Sequence, residues 1–411
     1  MTHARYIVGD VRDVLATIPD GSIDMVMTSP PFLALRSYLP ADHPDKHREI
    51  GSEPDPATFL DTLLLLTAEW GRVLAPHGSI CVELGDTYSG SGGAGGDYNP
   101  DGLRDGQSKF EGSNQRRGKV VDHNSGRRNP PDTWPLPKSL CGIPHLYHLS
   151  LAYGRNLLTG EESPAGRWRV RNVVAWCRPN PPVGALGDKF RPATSYMTIA
   201  TRAQKRYFDL DAVRTPADHE PKPSSRGATE FERDEAKARK GTVGMTHNPA
   251  GAPPLDYWVI PTQPYSGSHY AVYPPALCER PIKSMVPAKV CTVCGAPSER
   301  IVDVEGLSGR DMMGANNDRA IGHSGKRDPM PEITRTTIGW TECECHDDGT
   351  KWRPGVVLDP FAGSGTTLMV ATGQGRDAIG IDIDSRNADL ALDRVGPLLL
   401  TVEHLADEVA S

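Results

Sequence analysis

The sequence predicts an α/β protein in which helices cover both faces of a mixed sheet. A strand–helix–strand pattern opens the chain, and a glycine turn joins a buried strand to a helix near its end. The 411 residues allow either one large domain with insertions or two to three domains. Because 37% of the residues are hydrophobic and 24% are charged, the composition excludes a fibre, a membrane bundle or a wholly disordered chain.

Residues Arg5 to Val8 are expected to form a strand, and Val11 to Ile18 are expected to form a helix. Ile23 to Met27 are expected to form a second, short apolar strand. That second strand leads directly into Thr28-Ser29-Pro30-Pro31-Phe32. Because two consecutive prolines cannot continue a central strand, this motif should lie in a loop just beyond the carboxyl end of the strand. Open α/β sheets bind their ligands at that edge.

The next helix is expected to begin at an N-cap, Asp55, with Pro56 at its first position. Apolar residues continue at helical spacing as far as Leu74, Gly78 is expected to end the helix, and Ser79 to Leu84 is expected to form a strand. Beyond it, residues 87–137 and 216–255 are polar segments with little apolar periodicity, so they are predicted to be loop-rich insertions.

A second ligand-binding pattern lies near the carboxyl end of the chain. A buried strand runs into the turn Asp359-Pro360-Phe361-Ala362-Gly363-Ser364-Gly365, a helix begins at Thr366-Thr367, and a further strand ends at Asp382. The glycines let the backbone turn tightly and approach a ligand closely. Asp382 stands nineteen residues after Gly363, a spacing that fits a carboxylate reaching the two hydroxyls of a ribose. The predicted ligand is therefore a nucleoside.

The residues of this turn narrow the choice of nucleoside. A Walker loop would need Gly-Lys before Ser or Thr, and no lysine follows Gly365. A dinucleotide fingerprint would need a third glycine where Leu368 stands, and a pyrophosphate would be disfavoured beside the acidic Asp359. S-adenosylmethionine has a ribose, no phosphate and two cationic groups, so it is the predicted cofactor.

The proline motif has the chemistry needed to methylate an exocyclic ring amine. Such an amine is a poor nucleophile because its lone pair is delocalised, so an enzyme must hold both N–H bonds in a geometry that localises that pair. The Ser29 hydroxyl and the Pro30 carbonyl can accept these bonds, since Pro31 has no N–H to compete. Phe32 can stack on an extruded base, an interaction worth about 1–3 kcal/mol, while base flipping costs a few kcal/mol.

With these two motifs in this order, the chain resembles the amino-methylating DNA methyltransferases, specifically their β-ordered group. Thr28 to Phe32 is similar to that family's Ser/Asp-Pro-Pro-Tyr/Phe motif, and Asp359 to Gly365 is similar to its cofactor loop. Residues His269-Tyr270-Ala271-Val272-Tyr273-Pro274 resemble the motif that closes over the methionine end of the cofactor. The resemblance implies a Rossmann-like fold with a mixed seven-stranded sheet whose halves are joined in permuted order.

The resemblance also implies the domain organisation and the site residues. Residues 1–215 are expected to form the base-binding half, 256–290 the cofactor-closing motif and 353–411 the cofactor-binding half, with 87–137 and 216–255 as candidate target-recognition segments. The expected catalytic residues are Ser29, Pro30, Pro31 and Phe32. The expected cofactor-binding residues are Asp10, Thr28, His269, Asp359, Pro360, Phe361, Gly363, Gly365, Thr366, Thr367 and Asp382.

Ser29 favours cytosine N4 as the methylated atom, because many adenine enzymes of the family have aspartate there. Adenine N6 remains the alternative, since serine-bearing members acting on adenine are also expected. A protein glutamine methyltransferase is disfavoured because its related motif begins with asparagine, and a non-catalytic DNA-binding module is disfavoured because both motifs are intact. Carbon-5 methylation of cytosine needs a thiolate, usually presented after a proline, and none of the eight cysteines follows one.

Four of the eight cysteines form two close pairs, Cys291 with Cys294 and Cys343 with Cys345. The first pair has the spacing of a zinc knuckle, and Gly295 favours the turn that aims backbone amides at the sulfurs. Residues 291–346 are therefore predicted to form a small zinc-ribbon-like insertion around a structural zinc ion. His346 is an alternative ligand, and four free cysteines are the alternative interpretation.

Charge and hydropathy indicate the partners. A net charge of −7 argues against bulk electrostatic coating of nucleic acid, so local basic groups would carry any contact with double-stranded DNA. Three basic groups could make such a contact, although each could also be an ordinary solvated surface. They are Arg116, Arg117, Lys119, Arg127 and Arg128; Arg167, Arg169 and Arg171; and Arg202, Lys205 and Arg206.

The chain has no long apolar run, so no membrane contact and a cytoplasmic location are expected. A cognate restriction endonuclease is a further possible partner.

Overall fold

A computed structural model describes residues 2–34, 39, 43–89, 132–181, 188–215, 251–263, 272–305, 334–345 and 351–405. The chain divides into two compact units. The larger unit comprises Met1–Phe208, Leu255–Pro297 and Cys345–Ser411, and the smaller unit comprises Asp209–Pro254 and Ser298–Glu344.

The described strands are β1 Ala4–Val8, β2 Ile23–Thr28, β3 Leu74–Leu84, β4 Arg169–Cys177, β5 Thr194–Thr201, β6 Tyr257–Val259, β7 Val290–Cys291, β8 Arg300–Glu305, β9 Thr334–Trp340, β10 Trp352–Arg353, β11 Val356–Asp359, β12 Asp377–Asp382 and β13 Leu400–His404. The described α-helices are α1 Val11–Thr17, α2 Pro56–Val73, α3 Ile143–Tyr153, α4 Ala276–Met285, α5 Thr366–Gly373 and α6 Arg386–Val395. Two short 3₁₀ helices cover Pro44–Arg48 and Asp211–Val213.

The larger unit contains one mixed sheet whose described strands follow the order β13-β1-β12-β11-β2-β3-β5-β4-β6. The Rossmann-like fold class is therefore confirmed, but the predicted count of seven strands is wrong, because the described residues contribute nine strands to this sheet. Short strands lie at its two edges, where β6 pairs with β4 and β13 pairs with β1.

The centre of the sheet joins the two ends of the chain. β11 pairs in parallel with β2, with Leu358 opposite Val26. The carboxyl ends of both strands therefore reach the same edge of the sheet, where the proline motif follows β2 and the glycine turn follows β11. β5 runs antiparallel to both β3 and β4, which makes the sheet mixed.

Two apolar layers hold the helices to the sheet. Buried residues of α1, α2 and α3 pack on one face, and buried residues of α4, α5 and α6 pack on the other. Trp70 of α2 and Tyr147 of α3 are both completely buried in the first layer. Burial of large aromatic side chains of this kind contributes strongly to core stability, and the layers fix the edge that carries the two motifs.

The predicted start of α2 is confirmed, but its predicted end is wrong. Asp55 caps the helix, because its side chain accepts a hydrogen bond from the Thr58 amide at 2.8 Å. The helix ends at Val73 rather than continuing to Gly78, and β3 begins immediately at Leu74. Pro76 accounts for the difference, because proline lacks an N–H and disfavours helical geometry in the residue before it.

The smaller unit contains an antiparallel pair, β8 with β9. Arg300 of β8 donates to both carboxylate oxygens of Asp209, and the shortest of these contacts is 2.7 Å. This ion pair ties the beginning of the unit to its second segment. The domain roles predicted for residues 216–255 and 291–346 stay predictions, and residues 216–250, 306–333 and 346–350 lie outside the described part of the chain. Among the described residues, no helix combines the length and apolar character needed to cross a membrane.

Candidate active site

A pocket opens at the carboxyl edge of the central strands. The loops after β1, β2, β11 and β12 all contribute to its wall. Its lining residues are Gly9, Asp10, Val11, Ser29, Pro30, Pro31, Phe32, Arg48, Glu49, Ile50, Val272, Tyr273, Pro360, Phe361, Ala362, Gly363, Ser364, Thr366, Asp382 and Ile383. The proline motif and the glycine turn, which lie more than 300 residues apart in the sequence, therefore line one cavity.

Ser29 is paired with an acidic side chain that sequence analysis did not select. The Ser29 hydroxyl donates to Glu83 Oε2 at 2.6 Å. Glu83 lies in β3, is only 3% exposed, and burial raises the pKa of its carboxyl above the ordinary value. A glutamate between Val82 and Leu84 in an otherwise apolar strand was the signal that could have identified it, because a buried carboxylate needs hydrogen-bonding partners.

Phe32 lies against the backbone at the end of β3. A Cβ atom added to Gly85 would stand 2.6 Å from Cε2 of the Phe32 ring, closer than any side-chain contact allows. Glycine at position 85 therefore gives the ring its place in the wall of the pocket, where it remains partly accessible.

Asp359 lies beneath the pocket and does not line it. Its side chain is completely buried, and burial raises the pKa of its carboxyl. One carboxylate oxygen accepts the Thr28 hydroxyl at 2.7 Å and the Phe361 amide at 3.1 Å. The other accepts the Tyr273 hydroxyl at 2.9 Å and the Thr367 hydroxyl. Four donors thus occupy the carboxylate, and it joins the proline motif, the glycine turn and the closing motif.

Direct cofactor contact was expected from Thr28, Asp359, Gly365 and Thr367, and none of these residues lines the described pocket. Three of them belong to the hydrogen-bonded group around the Asp359 carboxylate. Gly365 has a φ of +76°, which an L side chain rarely adopts, so its role is to allow the turn. Pro360, Phe361, Gly363 and Thr366 line the pocket, and their contact with a cofactor stays a prediction.

Asp382 faces the pocket at the end of β12. It accepts hydrogen bonds from the Gly363 amide at 2.9 Å, the Asp384 amide at 2.9 Å and the Asn387 side chain at 3.1 Å. Burial raises the pKa of Asp382 to about 6. The carboxylate therefore fixes the glycine turn while its position at the pocket wall suits it to accept hydroxyl groups.

Asp10 lines the pocket but its carboxylate is already engaged. Arg12 donates to both of its oxygens, at 2.9 Å and 2.7 Å, and Arg48 approaches Oδ2 at 3.3 Å. The Arg12 amide also donates to Oδ1 and makes Asp10 the N-cap of α1. The contact with adenine that the resemblance implied for Asp10 stays a prediction, and it would have to compete with both arginines.

His269 lies outside the described residues, whereas Tyr273 of the same motif lines the pocket. Three of the four predicted zinc ligands, Cys291, Cys294 and Cys345, lie in the larger unit, and their sulfur atoms lie within 4.8 Å of one another. Cys343 lies in the smaller unit. His346 lies outside the described residues. A set of thiolates at this separation has the donor chemistry that zinc prefers.

Two of the three basic groups predicted from the sequence, Arg167 to Arg171 and Arg202 to Arg206, lie close together. They lie at the edge of the sheet opposite the pocket. Arg169 opens β4 next to Thr201 at the end of β5, and Arg171 contacts the backbone carbonyl of Gln204 at 3.4 Å. The prediction that these groups contact DNA stays a prediction, and this location places them away from the proline motif. The first basic group, Arg116 to Arg128, lies outside the described residues.

Comparison with known proteins gives a family match, two similar methyltransferases and one similar solved structure. A family model described as DNA methylase matches residues 23–289 and 351–393. The Type II methyltransferase M.SmaI of Serratia marcescens is 24% identical over 396 residues, which cover 96% of this chain and 91% of that protein. M.Cfr9I of Citrobacter freundii is 24% identical over 397 residues, covering 96% and 88% of the two chains. Among solved structures, the cytosine-N4-specific PvuII DNA methyltransferase aligns over 98% of this chain and 95% of its own, with 12% identity and a TM-score of 0.45.

Proposed function

This chain belongs to the N6/N4 DNA methylase family, and from that premise we propose that it transfers a methyl group from S-adenosylmethionine to N4 of cytosine in duplex DNA. One observation carries the proposal: the proline motif and the glycine turn line a single pocket at the edge of one sheet. The relatives are named as Type II methyltransferases, which supports action at a specific DNA site.

The pocket has the groups that S-adenosylmethionine requires. Asp382 would accept the ribose hydroxyls, Ile383 and Phe361 offer apolar surface for the adenine, and the turn from Pro360 to Gly363 would lie along the rest of the molecule. When bound, the cofactor supplies a sulfonium methyl group, whose carbon–sulfur electron pair stays on sulfur as the new carbon–nitrogen bond forms. The cation among the described lining residues, Arg48, donates to both carboxylate oxygens of Asp13, at 2.7 Å and 2.8 Å.

The target base would be held by the proline motif. The Ser29 oxygen and the Pro30 carbonyl each accept one N–H of the exocyclic amine, which orients the amine lone pair toward the methyl carbon. Ser29 can act as an acceptor here because its own hydrogen already points to Glu83. Phe32 stacks on the extruded ring. The enzyme therefore needs no covalent intermediate with the base.

Cytosine is preferred to adenine because Ser29 stands where many adenine enzymes of the family have aspartate. Adenine N6 is the second candidate, since Ser29 and Pro30 would present the same two acceptors to that amine. Duplex DNA is the proposed partner in both cases. The segments 87–137 and 216–255 are proposed to read its sequence, and a cognate endonuclease is a further proposed partner.

Nucleoside analysis distinguishes the two bases. DNA incubated with the purified chain and labelled S-adenosylmethionine is expected to yield labelled N4-methylcytosine after complete digestion, identified by mass spectrometry. A control incubation with S-adenosylhomocysteine in place of the cofactor should give no label. N6-methyladenine as the labelled product would replace cytosine with adenine in the proposal. Label in protein but not in DNA would contradict the proposed function itself.

We further propose that Cys291, Cys294, Cys343 and Cys345 hold a structural zinc ion, on the strength of the clustered sulfurs of Cys291, Cys294 and Cys345 and of the pairwise spacing of all four cysteines in the sequence. The purified chain should contain about one zinc ion, and a Cys291→Ser, Cys294→Ser variant should lose it and melt at a lower temperature. Elemental analysis and thermal unfolding measure the two effects. Cys141→Ser is the matched control, because this buried thiol lies outside the cluster. A parent chain that neither contains zinc nor binds added zinc would contradict the proposal.

A further inference from the structure

Glu83 has a second partner on the side away from Ser29. Ser195 of β5 is 1% exposed and forms a side-chain hydrogen bond with Glu83. The register places Glu83 opposite Met197, so Ser195 lies one diagonal step away on the same face of the sheet. Arg178, the first residue after β4, reaches the same serine, and its Nη1 donates to Ser195 Oγ at 3.1 Å.

Two further contacts hold Arg178 in this position. Its amide donates to the Ala193 carbonyl at 2.8 Å, and its guanidinium lies 4.9 Å from the ring centroid of Trp176. Trp176 is in turn the register partner of Ser195. The guanidinium is therefore fixed beside the hydroxyl instead of extending freely into solvent.

The chemistry of the end groups fixes the direction of the whole chain of hydrogen bonds. A guanidinium can only donate, and an ionised carboxylate can only accept. Ser195 therefore accepts from Arg178 and donates to Glu83, while Ser29 donates to Glu83 from the other side. With its hydrogen committed to Glu83, the Ser29 oxygen presents only lone pairs to the pocket.

The direction of these hydrogen bonds depends on whether Glu83 is ionised. A protonated Glu83 could donate to Ser29, whose own hydrogen would then be free to point at the target amine, where an acceptor is needed. Burial favours that protonated form, whereas the positive charge of Arg178 and the two serine donors oppose it. The other ionisable groups that act on this pair are two thiols, Cys81 on β3 and Cys177 on β4, and burial raises the pKa of Cys81.

We propose that Arg178, acting through Ser195, is a positioning residue that keeps Glu83 in the ionised form that accepts the Ser29 hydroxyl proton. The inference rests on the proposed function and deepens it. When the amine gains a methyl group it must release one N–H proton. That proton passes to the Ser29 oxygen as the Ser29 hydroxyl proton passes to Glu83, so the carboxylate must be ionised before each turnover.

The test is the pH dependence of the single-turnover methylation rate at saturating cofactor and DNA. The substrate is a duplex containing the site found by sequencing methylated host DNA. In Arg178→Met, the acidic limb of the profile should move up by about one pH unit, so that the rate falls by up to about tenfold on the acidic limb and by less at higher pH. Arg178→Lys should restore much of both, and Ser195→Ala should move the limb in the same direction. Arg155→Met, an exposed arginine far from the pair in sequence, is the control and should match the parent.

A profile that keeps its shape in Arg178→Met, or a rate that falls equally at every pH, would overturn the inference. Cofactor binding measured by calorimetry shows whether each variant is folded, and Ser195→Ala provides the test if Arg178→Met does not fold. Failure of the proposed function is distinguished by the parent chain. An inactive parent would overturn both proposals, whereas an active parent with unshifted variants would overturn only the role of Arg178.

Discussion

A chain carrying Ser29→Ala and Pro30→Ala is expected to bind S-adenosylmethionine as the parent does while its methylation rate falls by about 10²- to 10³-fold or more, the loss typical of removing one preorganised polar group from an active site. Ser29→Ala removes one of the two acceptors for the target amine. Pro30→Ala releases the backbone constraint that aims the second acceptor, the carbonyl of residue 30. Both positions line the pocket, but neither belongs to the glycine turn that would hold the cofactor.

Single-turnover kinetics and calorimetry separate these two effects. The methylation rate is measured at saturating cofactor, and the cofactor dissociation constant is measured without DNA. Ser22→Ala is a matched control, because this serine donates to the Pro19 carbonyl in an exposed turn remote from the motif. Turnover equal to that of the parent would show that the proline motif does not hold the amine. A large loss of cofactor affinity would place the motif in cofactor binding instead.

The sequence was sufficient to predict the fold class and both walls of the pocket, because each depends on local chemistry. Two prolines must leave a strand, and two glycines before a helix allow a tight turn near a ligand. Neither of these backbone constraints depends on the rest of the fold. Pairing of β2 with β11 could be expected only from the family resemblance, since no local pattern specifies which strands become neighbours across 300 residues.

The roles of individual carboxylates could not be predicted in the same way. Asp359 and Asp382 both end strands at the ligand edge, and sequence analysis assigned both to direct cofactor contact. In the structure Asp359 is completely buried beneath the pocket and accepts from four donors. Three of these donors are side chains, two of them far away in the sequence and the third, Thr367, eight residues away. Whether a strand-end side chain points into a cavity or under it depends on the twist and pairing of the finished sheet.

The role of Glu83 could not be predicted from the sequence either. Its importance depends on two serines, Ser29 just after β2 and Ser195 on β5, and neither is near it in sequence. A lone glutamate in an apolar run indicates only that some partner exists. The identity of that partner follows from strand order, because β3 lies between β2 and β5.

The affinity for S-adenosylmethionine is expected to depend on pH through Asp382, and to fall strongly when this residue is changed. Only the ionised carboxylate can accept a ribose hydroxyl while it also holds the Gly363 and Asp384 amides and the Asn387 side chain. Since burial raises the pKa of Asp382 to about 6, the carboxyl is ionised above that pH and protonated below it. Binding should therefore be full at neutral pH and should weaken as the pH falls through 6.

Asp382→Asn is the informative variant, because an amide keeps one oxygen for the glycine turn but loses the charge. Hydrogen bonds to a charged group are worth about 1.5–3 kcal/mol each, so loss of the charged acceptor should raise the dissociation constant by about tenfold to a hundredfold or more. The remaining affinity should no longer change between about pH 5 and pH 7, because the titrating group has been removed. Calorimetric titration with the cofactor across this range measures both effects.

Asp389→Asn serves as the matched control, because Asp389 is an exposed carboxylate on the helix that follows Asp382. It should bind the cofactor as the parent does and keep the same pH dependence. A parent affinity that stays constant through pH 6 would mean that the ribose hydroxyls do not depend on an ionised Asp382. Equal affinities in the parent and in Asp382→Asn at neutral pH would remove Asp382 from the cofactor site altogether, and the glycine turn would then have to hold the nucleoside by backbone contacts alone.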